Sequence, residues 1–252
     1  MPRIDFNCDL GEGCGDDAAI MPWITSANIA CGAHAGDNDT IRETLRLCRM
    51  HGVVAGAHPG YADREYFGRR ELALPHAGLL ALVREQVALM DRLAREQGMR
   101  LRHVKPHGAL YNQSARDLDT AMAVAEGVRA CDPSLLLVGL SGSASIRAAQ
   151  ACGLRTAHEV FAERGYAADG RLLPRGTPGA VLEPDAATAQ ALDLALRNEV
   201  ALHTGGTLRL QADTLCLHGD RADAADLART LHTALTAAGV RIQPLEPLSA
   251  CP

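Results

Sequence analysis

The chain has 252 residues, of which 47% are hydrophobic and 3% aromatic, and its formal net charge at pH 7 is −5. This length suits one large α/β domain covering residues 1–252, and the acidic balance excludes the basic surface typical of nucleic-acid-binding proteins. No apolar run approaches the roughly 20 residues of a membrane span and no signal peptide precedes the first strand-like run, so we expect a soluble, cytoplasmic protein without a membrane partner.

Seven short apolar runs end in residues that can carry chemistry, and they predict the strands of the fold. These runs cover residues 6–12, 27–37, 53–60, 102–108, 136–142, 156–161 and 215–220. In a parallel α/β protein the reactive residues lie at the carboxyl ends of the strands. The repetition therefore predicts both the architecture and the place of the site.

Helical patterns separate these runs, at residues 39–50, 79–97, 118–130, 143–152, 184–202 and 222–238. Because parallel neighbours need a crossover of a dozen or more residues, the alternation predicts parallel strands. No G-x-G-x-x-G follows the first run, which disfavours an open dinucleotide-binding sheet. We predict an α/β fold, a seven- or eight-stranded parallel β/α barrel, in which residues 240–245 supply an eighth strand or cover one end.

Two polar stretches, residues 61–74 and 162–182, interrupt this alternation. Both contain several arginines, and both follow the reactive end of a predicted strand. Long loops in compact domains are usually functional or disordered. We therefore predict that these stretches are lids over the site.

Strand alternation places several polar side chains on one face. Asn7 and Asp9 have the same parity, and so do His103, Lys105 and His107. We expect these side chains to point into the barrel near its mouth. A buried lysine is costly unless it meets an anion, so such a cluster marks a site more often than a core. The alternative is an interior ion pair that only fixes the packing.

A metal site is another possible use of the polar strand ends. Acceptable ligands there are Asp9, His34, His58, His107, His218 and Asp220. None of them has the local spacing of a metal motif, since even His103 and His107 would stand about 13 Å apart on a strand. A metal would need ligands from several strands, which a sequence does not show. We predict no metal ligands and no metal requirement.

The remaining candidates are imidazoles and arginines at the strand ends. His34 and His58 each lie beside a glycine, in positions that match those of His107 and His218. The adjacent Arg69 and Arg70 could hold a carboxylate or phosphate in a bidentate way, or could simply be solvated. The sequence contains no phosphate-binding loop and no nucleophile elbow. The residues alone indicate a hydrolase acting on a small amide or acid.

Six groups of residues closely resemble the LamB/YcsF family. They lie at residues 7–12, 27–37, 56–61, 67–70, 104–112 and 218–220, and the resemblance extends from residue 4 to about 245. It implies a β/α barrel like that of glycoside hydrolases and polysaccharide deacetylases. It also implies the role of the A subunit in a bacterial 5-oxoprolinase, which cleaves 5-oxo-L-proline to L-glutamate together with subunits B and C. ATP would be a co-substrate of the assembled complex, and the chain could also self-associate.

The motif residues of this resemblance receive roles by inference. Asp9 and His107 would do acid–base work on water or on the ring nitrogen, and Lys105 would stabilise oxyanion or phosphate charge. His34 and His58 complete the catalytic candidates. The substrate carboxylate would meet Arg69 or Arg70. Further substrate-binding candidates are Asn7, Glu12, Asn28, Tyr111, Glu159, Arg175, His218 and Asp220.

Two other functions stay open. The chain could be a stand-alone metal-dependent amidase or deacetylase, which bound zinc would favour. It could also be a non-catalytic scaffold for subunits B and C, in which case substitutions at the barrel mouth would leave the activity of the complex intact. The missing phosphate-binding loop predicts that the isolated chain has little ATP-dependent activity until its partners are added.

Overall fold

Seven parallel strands form a closed barrel in the computed structural model, which describes residues 1–245. The strands in chain order are β1 (Arg3–Leu10), β2 (Ser26–Ala30), β3 (Val54–His58), β4 (His103–Val104), β5 (Leu136–Leu140), β6 (Arg155–Phe161), β7 (Glu199–Ala201), β8 (Thr207–Arg209), β9 (Thr214–His218) and β10 (Arg241–Ile242). Strands β1 to β6 and β9 pair in parallel in that order, and β9 also pairs with β1. The predicted β/α barrel is confirmed, with seven strands in the ring.

Within residues 1–245, eight helices accompany the strands: α1 (Asp17–Ile20), α2 (Asn38–His51), α3 (His76–Glu96), α4 (Gly108–Arg116), α5 (Leu118–Cys131), α6 (Ala144–Ala151), α7 (Pro184–Arg197) and α8 (Ala224–Ala237). Their apolar faces are buried; α3, for example, buries Val83, Val87 and Met90 at helical spacing. Short 3₁₀ turns occupy Met21–Trp23 and Arg64–Tyr66. No helix within residues 1–245 combines the length and apolar character needed to cross a membrane.

The interior of the barrel is polar. Asn7 and Asp9 of β1 bond to Asn28 inside the ring, whereas Phe6, Cys8 and Leu10 belong to the hydrophobic core. The ring of His103 fills the interior beside Gly56, where a Cβ atom would come within 2.1 Å of the imidazole. Glycine is therefore required at that point of β3, because the barrel holds an imidazole there.

The predicted helix at residues 184–202 is too long. Helix α7 ends at Arg197 because Asn198 adopts the left-handed conformation, with φ of 56°, that commonly terminates helices. The chain then turns into the antiparallel hairpin of β7 and β8. Local periodicity did not reveal this change, since Val200 and Leu202 continue the apolar pattern of the helix.

The predicted strand at residues 102–108 is also too long. Strand β4 ends at Val104, and helix α4, which sequence reasoning missed, begins at Gly108. Pro106 lacks an N–H group and so cannot extend the strand pairing. The eighth strand predicted at residues 240–245 exists only as β10, which pairs with Arg3 and Ile4 of β1 and stands outside the closed ring.

Candidate active site

A pocket of about 820 Å³ opens at the carboxyl end of the barrel strands. Its lining includes Asp9, His58, Lys105 and His107 from the strand ends. The stretches predicted as lids supply other lining residues: Arg69 and Glu71 from the first, and Arg164, Ala167, Asp169, Arg171, Leu172, Leu173, Pro174 and Arg175 from the second. Five arginines line the pocket, since Arg116 of α4 joins those four. Arg69, Arg116 and Arg171 pair with carboxylates, whereas Arg164 and Arg175 have no carboxylate partner within residues 1–245 and can attract an anionic ligand.

Lys105 is the only lysine of the chain, and its side chain is 2% exposed. Its Nζ atom lies 2.7 Å from Asp9 Oδ1, 2.9 Å from Glu159 Oε1 and 3.0 Å from Cys216 Sγ. Burial alone would lower the pKa of Lys105, but Asp9, Cys216 and Glu159 hold it well above its usual value. A permanent ammonium charge therefore sits at the floor of the pocket.

Asp9 is held in place by the amides beneath it. Asn28 Nδ2 donates to Asp9 Oδ1 at 2.8 Å and to Asn7 Oδ1 at 2.7 Å, and Asn28 Oδ1 accepts from His103 Nε2 at 2.8 Å. Burial raises the pKa of Asp9, but the attraction of His58 and Lys105 outweighs it and keeps that pKa well below the usual range. Asp9 is therefore an anion, and Asn7 and Asn28 position it without reaching the pocket surface.

Three imidazoles pack together beside Asp9. The rings of His34 and His107 stack at 3.9 Å with their planes 6° apart, and His58 meets His107 edge-on at 4.8 Å. Two glycines make room for this stack, because a Cβ atom at Gly60 or Gly68 would come within 2.7 or 2.8 Å of His34. Burial lowers the pKa of His107 to about 3 and also lowers that of His34, so both rings are neutral at physiological pH.

Glu12 reaches the same imidazoles from the end of β1. Its Oε1 atom lies 3.3 Å from His107 Nδ1 and 3.8 Å from His34 Nε2, and burial raises its pKa to about 7. One ligand atom from each of these three residues lies within 4.8 Å of the others, so together they could hold a metal ion. Local spacing could not reveal this set, since its members follow β1, β2 and β4. The absence of a metal requirement stays a prediction.

His218 of β9 lies next to Asp9, its partner in the pairing of β1 and β9, and is oriented by Glu163. His218 Nδ1 lies 2.5 Å from Glu163 Oε1, which also accepts the backbone N–H of His218 at 3.1 Å. The ring stacks on Phe161 with centroids 5.6 Å apart. Sequence reasoning selected His218 but missed Glu163, whose only signal was an acidic residue at the start of the second predicted lid.

The adjacent arginines separate in the structure. Arg69 lines the pocket, pairs with Asp220 and has its guanidinium carbon 5.0 Å from the centre of the Phe67 ring. Arg70 does not line this pocket; it lies 3.3 Å from Asp63 and packs over Tyr66 at 4.3 Å. Only Arg69 of the predicted pair is therefore placed to meet a substrate.

The structure brings together nearly all of the predicted site residues. Those that line the pocket are Asp9, His58, Arg69, Lys105, His107, Tyr111, Arg175 and His218. The residues that contact this first group without lining the pocket are Asn7, Glu12, Asn28, His34, Glu159 and Asp220. Sequence reasoning missed Cys216. Alternation along β9 would have placed it on the inward face with Thr214 and His218.

Comparisons with known proteins agree on one group of relatives. The model of the LamB/YcsF family matches residues 4–250. The chain is 48% identical over 241 residues to the A subunit of the 5-oxoprolinase from Erwinia tasmaniensis, covering 95% of this chain and 98% of that one. Its fold resembles that of the lactam utilization protein from Thermus thermophilus, with a TM-score of 0.92, 41% identity and coverage of 96% of this chain and 100% of that one.

A more distant structure shows the fold alone. The polysaccharide deacetylase from Bacillus cereus matches with a TM-score of 0.52 and 11% identity, over 100% of this chain and 96% of that one. At this level of identity the likeness concerns the arrangement of the barrel and not the chemistry of its mouth.

Proposed function

The chain belongs to the LamB/YcsF family, and from that premise we propose that it opens the lactam ring of 5-oxo-L-proline as the A subunit of a multi-subunit, ATP-dependent 5-oxoprolinase. The product is L-glutamate. The names of two relatives, a 5-oxoprolinase subunit and a lactam utilization protein, support a lactam as the substrate class. The word "subunit" in the first name supports partners, for which subunits B and C are the candidates.

The observation that carries the proposal is the ion pair of Lys105 and Asp9 on the floor of an arginine-lined pocket. Hydrolysis of an amide builds negative charge on the carbonyl oxygen in the transition state. A fixed ammonium group in a site with little water stabilises that charge without having to reorganise. Lys105 meets this requirement, because two carboxylates hold it in place before any substrate arrives.

One carboxylate oxygen of Asp9 can accept a hydrogen bond from the attacking water. The Oδ1 atom is occupied by Lys105 and Asn28, whereas Oδ2 lies 3.4 Å from His58 Nε2. In the proposed reaction Asp9 and His107 orient the attacking water and move its proton, and the ring nitrogen receives a proton as the C–N bond breaks. Arg69 and Arg175 are the pocket arginines proposed to bind the substrate carboxylate.

The coupling to ATP has a physical reason. Ring closure of glutamate is favoured by the proximity of its own amine and carboxyl groups, so ring opening must be driven. Transfer of a phosphoryl group from ATP to the lactam oxygen would make the ring carbon more electrophilic. Water would then add to that carbon, the C–N bond would break as the nitrogen takes a proton, and a second water would hydrolyse the remaining acyl phosphate to glutamate and phosphate. The pocket volume of about 820 Å³ is in the range that suits drug-sized ligands, which leaves room for a phosphorylated lactam among the arginines.

Reconstitution tests this proposal. The purified chain alone, the partner subunits B and C alone, and the three together are supplied with 5-oxo-L-proline and ATP, and glutamate and ADP are measured. We expect glutamate only from the complete mixture, and its loss when Lys105→Met replaces the wild-type chain. Glutamate formation by subunits B and C alone, or an active complex containing Lys105→Met, would contradict a catalytic role for this chain.

A second candidate is a stand-alone metal-dependent amidase or deacetylase. The proximity of Glu12, His34 and His107 favours it, because a carboxylate and two imidazoles are common ligands of catalytic zinc. Turnover by the isolated chain, without ATP and without partners, is the result that would distinguish this function from the first.

A further inference from the structure

Two buried imidazoles, His58 and His107, face each other so closely that neutral rings cannot form a hydrogen bond between them. His58 Nε2 and His107 Nδ1 are 3.0 Å apart. The other nitrogen of each ring lies against a backbone carbonyl: His58 Nδ1 is 2.8 Å from the oxygen of Lys105, and His107 Nε2 is 2.9 Å from the oxygen of Phe67. A carbonyl oxygen only accepts, so each ring has its N–H there. The two nitrogens that face each other therefore both present lone pairs.

Further acceptors converge on the same place. Asp9 Oδ2 lies 3.4 Å from His58 Nε2, and Glu12 Oε1 lies 3.3 Å from His107 Nδ1. His34 is 1% exposed, and neither of its ring nitrogens has a hydrogen-bond partner among residues 1–245. Buried polar atoms are normally paired, and leaving them unpaired is costly. The cluster as a whole therefore requires one positive charge at its centre.

A metal ion supplies what is missing, and the distances fit one. Ligands about 2.1 Å from a tetrahedral zinc ion lie ~3.4 Å from one another. Glu12 Oε1 lies 3.3 Å from His107 Nδ1 and 3.8 Å from His34 Nε2, and ligand atoms of all three residues lie within 4.8 Å of one another. His107 also has the usual support of a metal-binding histidine, a carbonyl at the distal ring nitrogen, since its Nε2 faces the oxygen of Phe67. His34 stacks in parallel with His107, so its ring must tilt to aim at the same ion, and no hydrogen bond restrains it within the described part of the chain.

We propose that Glu12 Oε1, His34 Nε2 and His107 Nδ1 bind one divalent transition-metal ion of the zinc class, with His58 and Asp9 beside its open position. Two imidazoles and one carboxylate match the preferences of zinc, and three protein ligands leave one position for water. The inference replaces the sequence-based prediction that no metal is bound. It also replaces the acid–base role of His107, since Nδ1 would bind the ion and Nε2 faces the oxygen of Phe67, so that the proton of the water would move to Asp9. It holds whether or not a lactam is the substrate, because it concerns the binding of the ion alone.

Metal binding is measured on the full chain after removal of any polyhistidine tag and dialysis against a chelator. Cobalt(II) is titrated and followed by visible absorption, and zinc is counted by equilibrium dialysis with elemental analysis. We expect one ion per chain and a cobalt spectrum without thiolate charge-transfer bands, which separates this site from the cysteines of the chain. Glu12→Gln and His34→Asn should each weaken binding at least on the order of 100-fold.

The matched control is His76→Asn. His76 also faces a carboxylate, with its Nε2 atom 2.8 Å from Glu126 Oε2, but this pair is partly exposed and outside the pocket. We expect His76→Asn to bind metal as the wild type does. If the wild-type chain binds no stoichiometric ion, or if Glu12→Gln and His34→Asn bind as well as the wild type, the charge between His58 and His107 is a shared proton and the proposal is wrong. Circular dichroism of each variant shows whether it is folded.

Discussion

Lys105 Nζ lies 2.7 Å from Asp9 Oδ1, although Asp9 belongs to β1 and Lys105 follows β4, two strands that β2 and β3 separate in the ring. The ion pair therefore crosses the interior of the barrel. Glu159 of β6 and Cys216 of β9 contact the same ammonium group from the other side. One cation thus joins three strands, β1, β6 and β9, to the segment that follows β4, so its removal should affect both the electrostatics of the pocket and the stability of the barrel mouth.

Replacement of this cation by Lys105→Met should lower turnover of the reconstituted complex by about 100-fold or more, the scale of losing one charge-stabilising donor. The variant should also unfold at a lower temperature, because breaking a buried ion pair costs about 3–5 kcal/mol. Thermal unfolding and activity are measured on the same preparation. A destabilised variant with normal turnover in its folded fraction would show that Lys105 is structural.

A double variant separates the two effects. Lys105→Met combined with Glu159→Gln removes one of the anions that the ammonium group neutralises. We expect part of the lost stability to return while turnover stays low. Recovery of turnover in the double variant would contradict the assignment of Lys105 to charge stabilisation.

The reactivity of Lys105 gives an independent prediction. Because it is the only lysine, the chain has just two amines, the Lys105 side chain and the N-terminus. Burial and a pKa held well above the usual value keep the Lys105 amine protonated and inaccessible. An amine-acylating reagent at neutral pH should therefore add one label to the native chain and two to the chain in urea, as read from intact mass. Two labels on the native chain would refute this account.

The features of the site that depend on a local sequence pattern were predicted correctly. Alternation along the strands placed Asp9 and Lys105 on the inward face, and both meet there. It did not predict the contact of Glu12 with His34 and His107, because these residues leave three strands in three loops whose convergence is a property of the closed ring. The opposite directions of Arg69 and Arg70 likewise depend on their partners Asp220 and Asp63.

The opposite end of the barrel holds a titratable group that should affect stability and not chemistry. Asp5 accepts hydrogen bonds from Ser26, Thr25 and Thr214. Burial raises its pKa despite these bonds, and the charge of Glu159 adds to the rise. A carboxyl whose folded pKa lies above its unfolded value destabilises the fold as pH rises from about 4 through the folded pKa.

Asp5→Asn should remove that contribution. We expect the difference in melting temperature between the wild type and Asp5→Asn to change with pH above about 4, in the direction that disfavours the wild type as pH rises. Below that pH both side chains are neutral, and the difference should be constant. A difference that moves in favour of the wild type with rising pH would mean that the hydroxyl donors outweigh burial.

The glycines that flank the imidazole stack allow a steric test with a close control. A Cβ atom at Gly60 would lie 2.7 Å from His34 Nδ1 and 3.2 Å from His107 Cβ, so Gly60→Ala must displace a ring. We expect a loss of activity of about 10- to 100-fold in a folded protein, since small misplacements of catalytic groups have effects of this size.

The control is Gly78→Ala in helix α3. Its Cβ atom meets only Pro75, at 3.5 Å, and the substitution should raise stability by about 0.5–1 kcal/mol without changing activity. Activity and denaturant unfolding of both variants check the pair. Normal activity in Gly60→Ala would show that the stacked rings of His34 and His107 are not needed in their present positions.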